Sequence, residues 1–251
     1  MKYSIIIPTK DIAANTIYNE LVKLEKPENA EIVLFDNESI YLDDIEVNGE
    51  ILIFATRHRA ASGKKSLTCH FPGNWNKADF GGKEKKLCIA PASLLKQMFV
   101  NLKKNAKGTE FEVTLEATHH GPSLNKPAMF IELGSSENEW KNIDGGKIIA
   151  KTIIETLNEK IEPKKTYLGL GGTHYPVNFS KKLLETDIAI SHICPKYALE
   201  NLDEDMLKQA INKSIEKCEG VMLDWKGLGD KKNRILELLS QLGIQYSKSS
   251  G

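Results

Sequence analysis

Leu202-Asp203-Glu204-Asp205-Met206-Leu207-Lys208-Gln209-Ala210-Ile211-Asn212-Lys213-Ser214-Ile215-Glu216-Lys217-Cys218-Glu219-Gly220 decides the fold class. Leu202, Met206, Leu207, Ala210, Ile211, Ile215 and Cys218 recur at helical spacing and make one apolar stripe. Asp203, Glu204 and Asp205 favour the positive end of the helix dipole, and Gly220 can stop the helix. Short apolar runs flank it, 187–192 before and 220–225 after, and read as strands. Farther out the alternation continues. Strands are expected at 3–7, 31–35, 51–55, 111–118, 128–133 and 166–170, mostly short and aliphatic as buried strands are. Ile148, Ile149, Ile153, Ile154 and Leu157 mark a second helix, and Ile235, Leu238, Leu239 and Leu242 before Gly243 a third. A fourth begins at Pro91, with Leu94, Leu95, Met98, Phe99 and Leu102 on its buried side, and a fifth follows Ile12. The expected class is α/β, a mixed central sheet flanked by helices.

The chain has 251 residues, 41 % of them apolar, enough to bury a sizeable core as one α/β domain over residues 1–251. Its 34 basic and 34 acidic side chains cancel, which excludes the global field of a nucleic-acid coat protein. Cys69, Cys88, Cys194 and Cys218 lie far apart with no CxxC pair. That argues against a disulfide framework or a four-thiolate zinc site and for a reducing cytoplasm. No apolar run approaches the roughly 20 residues that cross a bilayer, and residues 1–7 read as a strand rather than a leader, so no membrane association is expected.

Neutrality conceals a dipolar arrangement. Residues 28–50 hold eight acids and no base, whereas residues 57–86 hold eight bases against two acids. The second stretch is rich in Gly, Lys, Ser and Asn and reads as a long basic loop. Arg57, Arg59, Lys64 and Lys65, with Ser62, Ser66 and Gly63, can wrap a phosphate. His70, Phe71 and Trp75 follow, and aromatics beside cations can stack an unpaired base, though they also anchor ordinary loops. A second grip for an anion lies at 225–234, where Lys226 and Lys231 flank a glycine turn that opens a helix. Neither the Rossmann nor the P-loop spacing is present there.

The chemistry concentrates in Glu116-Ala117-Thr118-His119-His120-Gly121-Pro122 and Gly169-Leu170-Gly171-Gly172-Thr173-His174-Tyr175, which place three of the six histidines where apolar runs break into glycine loops. Glu116, Thr118 and His120 share one strand face, and Glu132 on the next strand can stand opposite. Three readings stay open. His119, His120, His174 and Glu132 can bind a divalent metal, zinc foremost, that activates water. His120 or His174, oriented by Glu116 and helped by Thr118, can do general acid–base work without a metal. One or more of the rings can also be an interior histidine satisfied by hydrogen bonds. No GxSxG elbow or nucleophilic cysteine motif is present, so water is the expected attacker.

Those two phrases, together with Ala61-Ser62-Gly63-Lys64 to Trp75, resemble in order and spacing the archaeal and plant type of D-aminoacyl-tRNA deacylase, across essentially the whole chain. The resemblance implies a phosphorylase/hydrolase-like α/β fold and hydrolysis of the ester that joins a D-amino acid, such as D-tyrosine, to the 3′-terminal ribose of tRNA. It also implies a zinc requirement, with His119, His120 and His174 in the site. The expected protein is a monomeric cytoplasmic hydrolase whose partner is a tRNA acceptor end carrying a D-amino acid. Arg57, Arg59, Lys64, Lys65, Trp75, Lys226 and Lys231 are the expected tRNA contacts. Two alternatives accompany it: a peptidyl-tRNA or nucleoside-cleaving hydrolase of similar fold, and a non-catalytic tRNA-binding protein.

Overall fold

The aliphatic runs assort into two sheets in the computed structural model, which describes residues 1–249. The first half of the chain gives β1 (Tyr3–Pro8), α1 (Ile12–Leu21), β2 (Ala30–Phe35), β3 (Ile51–Arg59), β4 (Ser66–His70), β5 (Gly73–Asn74), β6 (Lys86–Leu87), α2 (Ala92–Asn105), β7 (Glu112–Leu115) and β8 (Ala128–Ser135). The second half gives α3 (Glu137–Trp140), α4 (Ile143–Asn158), β9 (Lys165–Leu170), α5 (Val177–Glu185), β10 (Ile188–Cys194), α6 (Glu204–Asn212), β11 (Cys218–Leu223), α7 (Lys232–Gln241) and β12 (Tyr246–Lys248).

A six-stranded sheet runs β2-β1-β3-β8-β4-β7 and is mixed, because β4 lies antiparallel to β8 while the other neighbours are parallel. Beside it stands a four-stranded parallel sheet, β10-β9-β11-β12. The central strands β1, β3 and β8 are aliphatic over most of their length because both faces are covered. Ile5, Ile53, Ile131, Leu67 and Cys69 point into a core shared with α1, α2 and α4. Alternate residues Ile6, Leu52, Phe54 and Phe130 build a smaller core on the opposite face. Phe54 stacks on Phe130 at 4.6 Å, and that second face carries the site.

Two expectations need correction. The segment 57–86 is not one long loop: its start extends β3, and Ser66–His70 is an interior strand between β8 and β7. The Gly, Lys and Asn that suggested a loop are concentrated in the turns around that strand, whose five residues are all buried. Trp75 is 5 % exposed, and its indole N–H donates to the Thr118 carbonyl at 3.0 Å, which anchors it at the wall of the cavity described below.

The long stripe also ends early. α6 starts as expected, with Asp203 accepting from the Met206 amide, but stops at Asn212. Residues 213–215 are drawn into a bridge with Ala90, through Ala90 N–H to Lys213 O at 2.9 Å and Ile215 N–H to Ala90 O at 3.0 Å. Tertiary pairing overrides the local periodicity, and Cys218 opens β11 instead of closing a helix.

That detour places Glu216 over the start of α2, whose N-cap is Pro91 and has no capping side chain of its own. The Glu216 carboxylate accepts from the amides of Ala92 at 3.1 Å and Ser93 at 2.9 Å. Glu216→Ala therefore costs about 1 kcal/mol, the usual value of a helix cap. Thermal unfolding followed by circular dichroism should show the midpoint about 2–4 °C lower.

Candidate active site and metal centre

Five of the six histidines converge on the second face of the six-stranded sheet, beside its smaller core, brought there by separate segments. His58 comes from β3, His70 from the end of β4 and Glu132 from β8. After β7 the chain leaves the first sheet and stitches itself to its surroundings. The Glu116 amide donates to Cys69 O at 3.0 Å, Ala117 to His174 O at 2.8 Å and Thr118 to Ile193 O at 3.0 Å. His120 then adopts φ +45°, a left-handed backbone that costs about 1–2 kcal/mol for a residue with a Cβ. Adjacent residues of a regular strand would point to opposite faces. This break lets His119 and His120 share one side, their rings 4.3 Å apart.

Three rings are held alike. Nδ1 of His70 lies 3.2 Å from Phe71 O, Nδ1 of His119 lies 2.9 Å from Ala117 O, and Nδ1 of His120 contacts Gly121 O. A carbonyl only accepts, so each Nδ1 carries the hydrogen, and Nε2 keeps its lone pair wherever the ring is neutral. Ligand atoms of these three residues come within 4.8 Å of one another, and His70 Nε2 is buried with no hydrogen-bond partner. Burial and the neighbouring His70 push His120 down to about 4 and His119 well below its ordinary value, so both rings are neutral.

A second group surrounds Glu116. Its Oε2 accepts from His174 Nε2 at 2.9 Å and lies 3.8 Å from His119 Nε2. Nδ1 of His174 meets the Tyr197 hydroxyl at 3.1 Å. Nδ1 of His58 sits 3.2 Å from Glu116 Oε1 and 3.6 Å from Glu132 Oε2, and its Nε2 donates to the Tyr175 hydroxyl at 3.1 Å. Burial alone would lower the His58 pKa, but hydrogen bonds to Glu116 and Glu132 raise it to about 10. Burial likewise opposes ionisation of both carboxyl groups and is overcome. His174 and His58 hold Glu116 well below the usual carboxylate range, while His58 and His70 hold Glu132 at about 2. At neutral pH the site thus contains two carboxylates with the charged His58 between them and the neutral His119 and His120 beside them, while Glu132 raises the pKa of His70 against the opposing effect of burial.

The structure brings Glu116, His119, His120 and His174 together. Glu132 stands on the far side, where it accepts from Thr56 Oγ1 at 2.8 Å and groups with His58 and Glu116. The Thr118 hydroxyl turns away, bonded to His192 Nδ1 at 3.1 Å and accepting from the Ile193 amide at 3.1 Å. Arg57 and Arg59 line the cavity of about 850 Å³ in front of the histidines, with Arg57 bound to Glu38 at 2.9 Å. Lys64 and Lys65 do not line it and pair with Glu112 and Glu110. Lys226 and Lys231 line a neighbouring cavity. His58 and His70 stand out in the sequence only as parts of a cationic and an aromatic run. A period-two reading of Thr56/His58 and Thr68/His70 as polar ends of buried strands would have found them.

A family model described as D-aminoacyl-tRNA deacylase matches residues 45–247. The D-aminoacyl-tRNA deacylase of Pyrococcus furiosus is 40 % identical over 93 % of this chain and 87 % of its own, and that of Methanocaldococcus jannaschii 35 % identical over 99 % and 100 %. A crystal structure of a conserved protein of unknown function superposes with a TM-score of 0.90 at 29 % identity, covering 99 % of this chain and 95 % of that one. Matched over most of its length by the family model and by relatives at this identity, the chain belongs to the D-aminoacyl-tRNA deacylase family.

Proposed function

We propose that the protein hydrolyses the ester between a D-amino acid and the terminal ribose of tRNA, as a cytoplasmic monomer that uses zinc. One observation carries the reading: three imidazoles with tethered Nδ1 atoms and ligand atoms within 4.8 Å of one another stand beside an ionised carboxylate–histidine pair. Family membership supports the substrate.

The donor set fits zinc. Metal-ligating imidazoles need a deprotonated nitrogen and a second nitrogen held by a neighbouring acceptor, and His70, His119 and His120 supply both. The buried Nε2 of His70 makes no hydrogen bond, with Glu132 Oε1 3.6 Å away, and a metal would give it a partner. These three residues are the proposed holders, since His174 Nε2 is already committed to Glu116. Bound there, zinc would lower the pKa of a water and polarise the ester carbonyl.

The remaining residues handle protons. Glu116 accepts from Nε2–H of His174, which leaves Nδ1 of that ring as the acceptor facing Tyr197 and the cavity. His174 Nδ1 takes the proton of the attacking water and returns it to the departing ribose oxygen. Glu116 stabilises the imidazolium formed between those events. His58, charged and clamped between Glu116 and Glu132, keeps both carboxylates ionised.

Purified protein should release D-tyrosine from D-tyrosyl-tRNA and leave L-tyrosyl-tRNA intact. Dialysis against a chelator should abolish the activity and added zinc restore it. No release from the D-ester sinks the reading, whereas chelator resistance removes only the zinc. The four cysteines, free in this structure, suit a reducing cytoplasm, and no described helix is long and apolar enough to cross a membrane. Gel filtration should give the mass of a single 28.1 kDa chain.

A further inference from the structure

Behind His174 lies a second cavity of about 880 Å³, formed by the loops that follow β9, β10 and β11. Its position follows from topology. From β9 the chain passes through α5 to β10 on one side, and from β11 it passes through α7 to β12 on the other. The loops after β9 and β11 therefore diverge, and in an open parallel sheet the crevice at the carboxyl ends of two such strands is where ligands bind. Gly172 and Gly227 face each other across this crevice, joined by Gly172 N–H to Gly227 O at 3.2 Å. Gly227 has no room for a side chain, since a Cβ there would overlap the Gly172 backbone.

The lining has the chemistry of an anion site. Asp224 is internally satisfied, accepting from Asn178 Nδ2 and the Gly227 amide, both at 3.0 Å. Lys231 is ion-paired with Glu200 and Asp230. Among the described residues, Lys196 and Lys226 line the cavity with no carboxylate within the 4.0 Å of an ion pair, so two ammonium groups remain available. The first cavity is mixed in charge: Asp11, Glu38 and Asp79 stand there with Ile40 and Phe80, offering carboxylates and apolar surface to an aminoacyl group, and Arg57, paired with Glu38, Arg59 and Lys77 line it too. His174 and Tyr197 line both cavities and form the wall between them.

We infer that the second cavity is the terminal-nucleotide subsite. The aminoacyl group occupies the first cavity, the ester lies at His174, and the phosphate of the last nucleotide meets Lys196 and Lys226. The inference rests on the deacylase reading and adds the direction in which the substrate lies.

The test is steady-state hydrolysis of D-tyrosyl-tRNA by Lys196→Ala/Lys226→Ala, with Lys103→Ala/Lys104→Ala on α2 as the control. The first variant should raise KM about tenfold with kcat within about twofold, and should flatten the dependence of log KM on log salt by about 0.7 for each single-strand phosphate that is no longer neutralised. Lys196→Arg/Lys226→Arg should restore KM. AMP should inhibit the parent protein more strongly than adenosine does, and the alanine variant should lose that difference. A KM unchanged in the alanine variant, or equal inhibition by AMP and adenosine, overturns the inference and leaves the deacylase reading standing. Absence of D-tyrosyl-tRNA hydrolysis by the parent protein overturns both.

Discussion

Glu116→Gln lowers kcat on D-tyrosyl-tRNA by about 10³-fold, within the 10²–10⁴ range that positioned acid–base groups contribute, and leaves the circular dichroism spectrum unchanged. The substitution keeps size and shape but removes the charge on which two histidines depend. Oε2 no longer stabilises the His174 imidazolium across their 2.9 Å hydrogen bond, and Oε1 no longer faces the charged His58 at 3.2 Å. Glutamine can present its amide nitrogen to His174 Nε2 and so select the other tautomer, which takes the accepting nitrogen away from the cavity. Zinc content measured on the same preparation separates two roles. If the ion sits on His70, His119 and His120, the variant retains it while losing activity. Loss of zinc together with activity would place the ion on one of the two groupings that contain Glu116 instead, with His119 and His174 or with His58 and Glu132, whose ligand atoms also lie within 4.8 Å of one another. A loss of less than tenfold would remove Glu116 from the proton path.

His119, His120 and His174 are legible from sequence because each stands where an apolar run meets glycine, and a glycine after a strand marks a loop that can approach a substrate. Glu116 is legible as the neighbour of His120 along one strand. His58 and His70 are not, and the reason is physical. The strands that carry them run into the site, so their last residues are the polar ones the site requires, Thr56 and His58 on β3 and Thr68 and His70 on β4. A strand buried among functional polar groups loses the aliphatic pattern that identifies buried strands elsewhere. The reversed direction of β4 hides it further, since alternating strand and helix predicts parallel neighbours. Helix α6 departs in the opposite sense: the stripe continues to Cys218 in sequence, but the backbone at 213–215 is claimed by Ala90. Both differences come from pairing between residues far apart in the chain.

His192→Phe should destabilise the protein by about 3–5 kcal/mol at pH 7, placing it among the severe single substitutions. His192, absent from the active cavity, is fully buried behind it, with Nε2–H donating to Cys88 O at 2.9 Å and Lys213 O at 3.1 Å, and Nδ1 accepting from the Thr118 hydroxyl. Phenylalanine fills the space but strands the Cys88 carbonyl and the Thr118 O–H donor, at about 1–3 kcal/mol for each buried group, while the Lys213 carbonyl keeps the Ala90 amide. The ring also sets an acid limit. Burial pushes its pKa down to about 4 against the opposing pull of the two carbonyls, with the Lys213 charge a smaller push in the same direction as burial. Between pH 6.5 and 4 the unfolded chain binds a proton there that the folded chain refuses, so stability falls as pH falls through that window, by about 3 kcal/mol in all. Urea unfolding at pH 7, 6 and 5 should show the parent losing stability faster than the variant, and the difference isolates His192 from His119 and His120, whose burial acts in the same direction in both proteins. Equal slopes would mean that His192 is charged in the folded state. The Thr118 hydroxyl bonded to His192 also receives the Ile193 amide, which fixes the segment carrying His119 and His120. Zinc affinity in the variant should fall about tenfold, as it does when groups that orient ligands are removed.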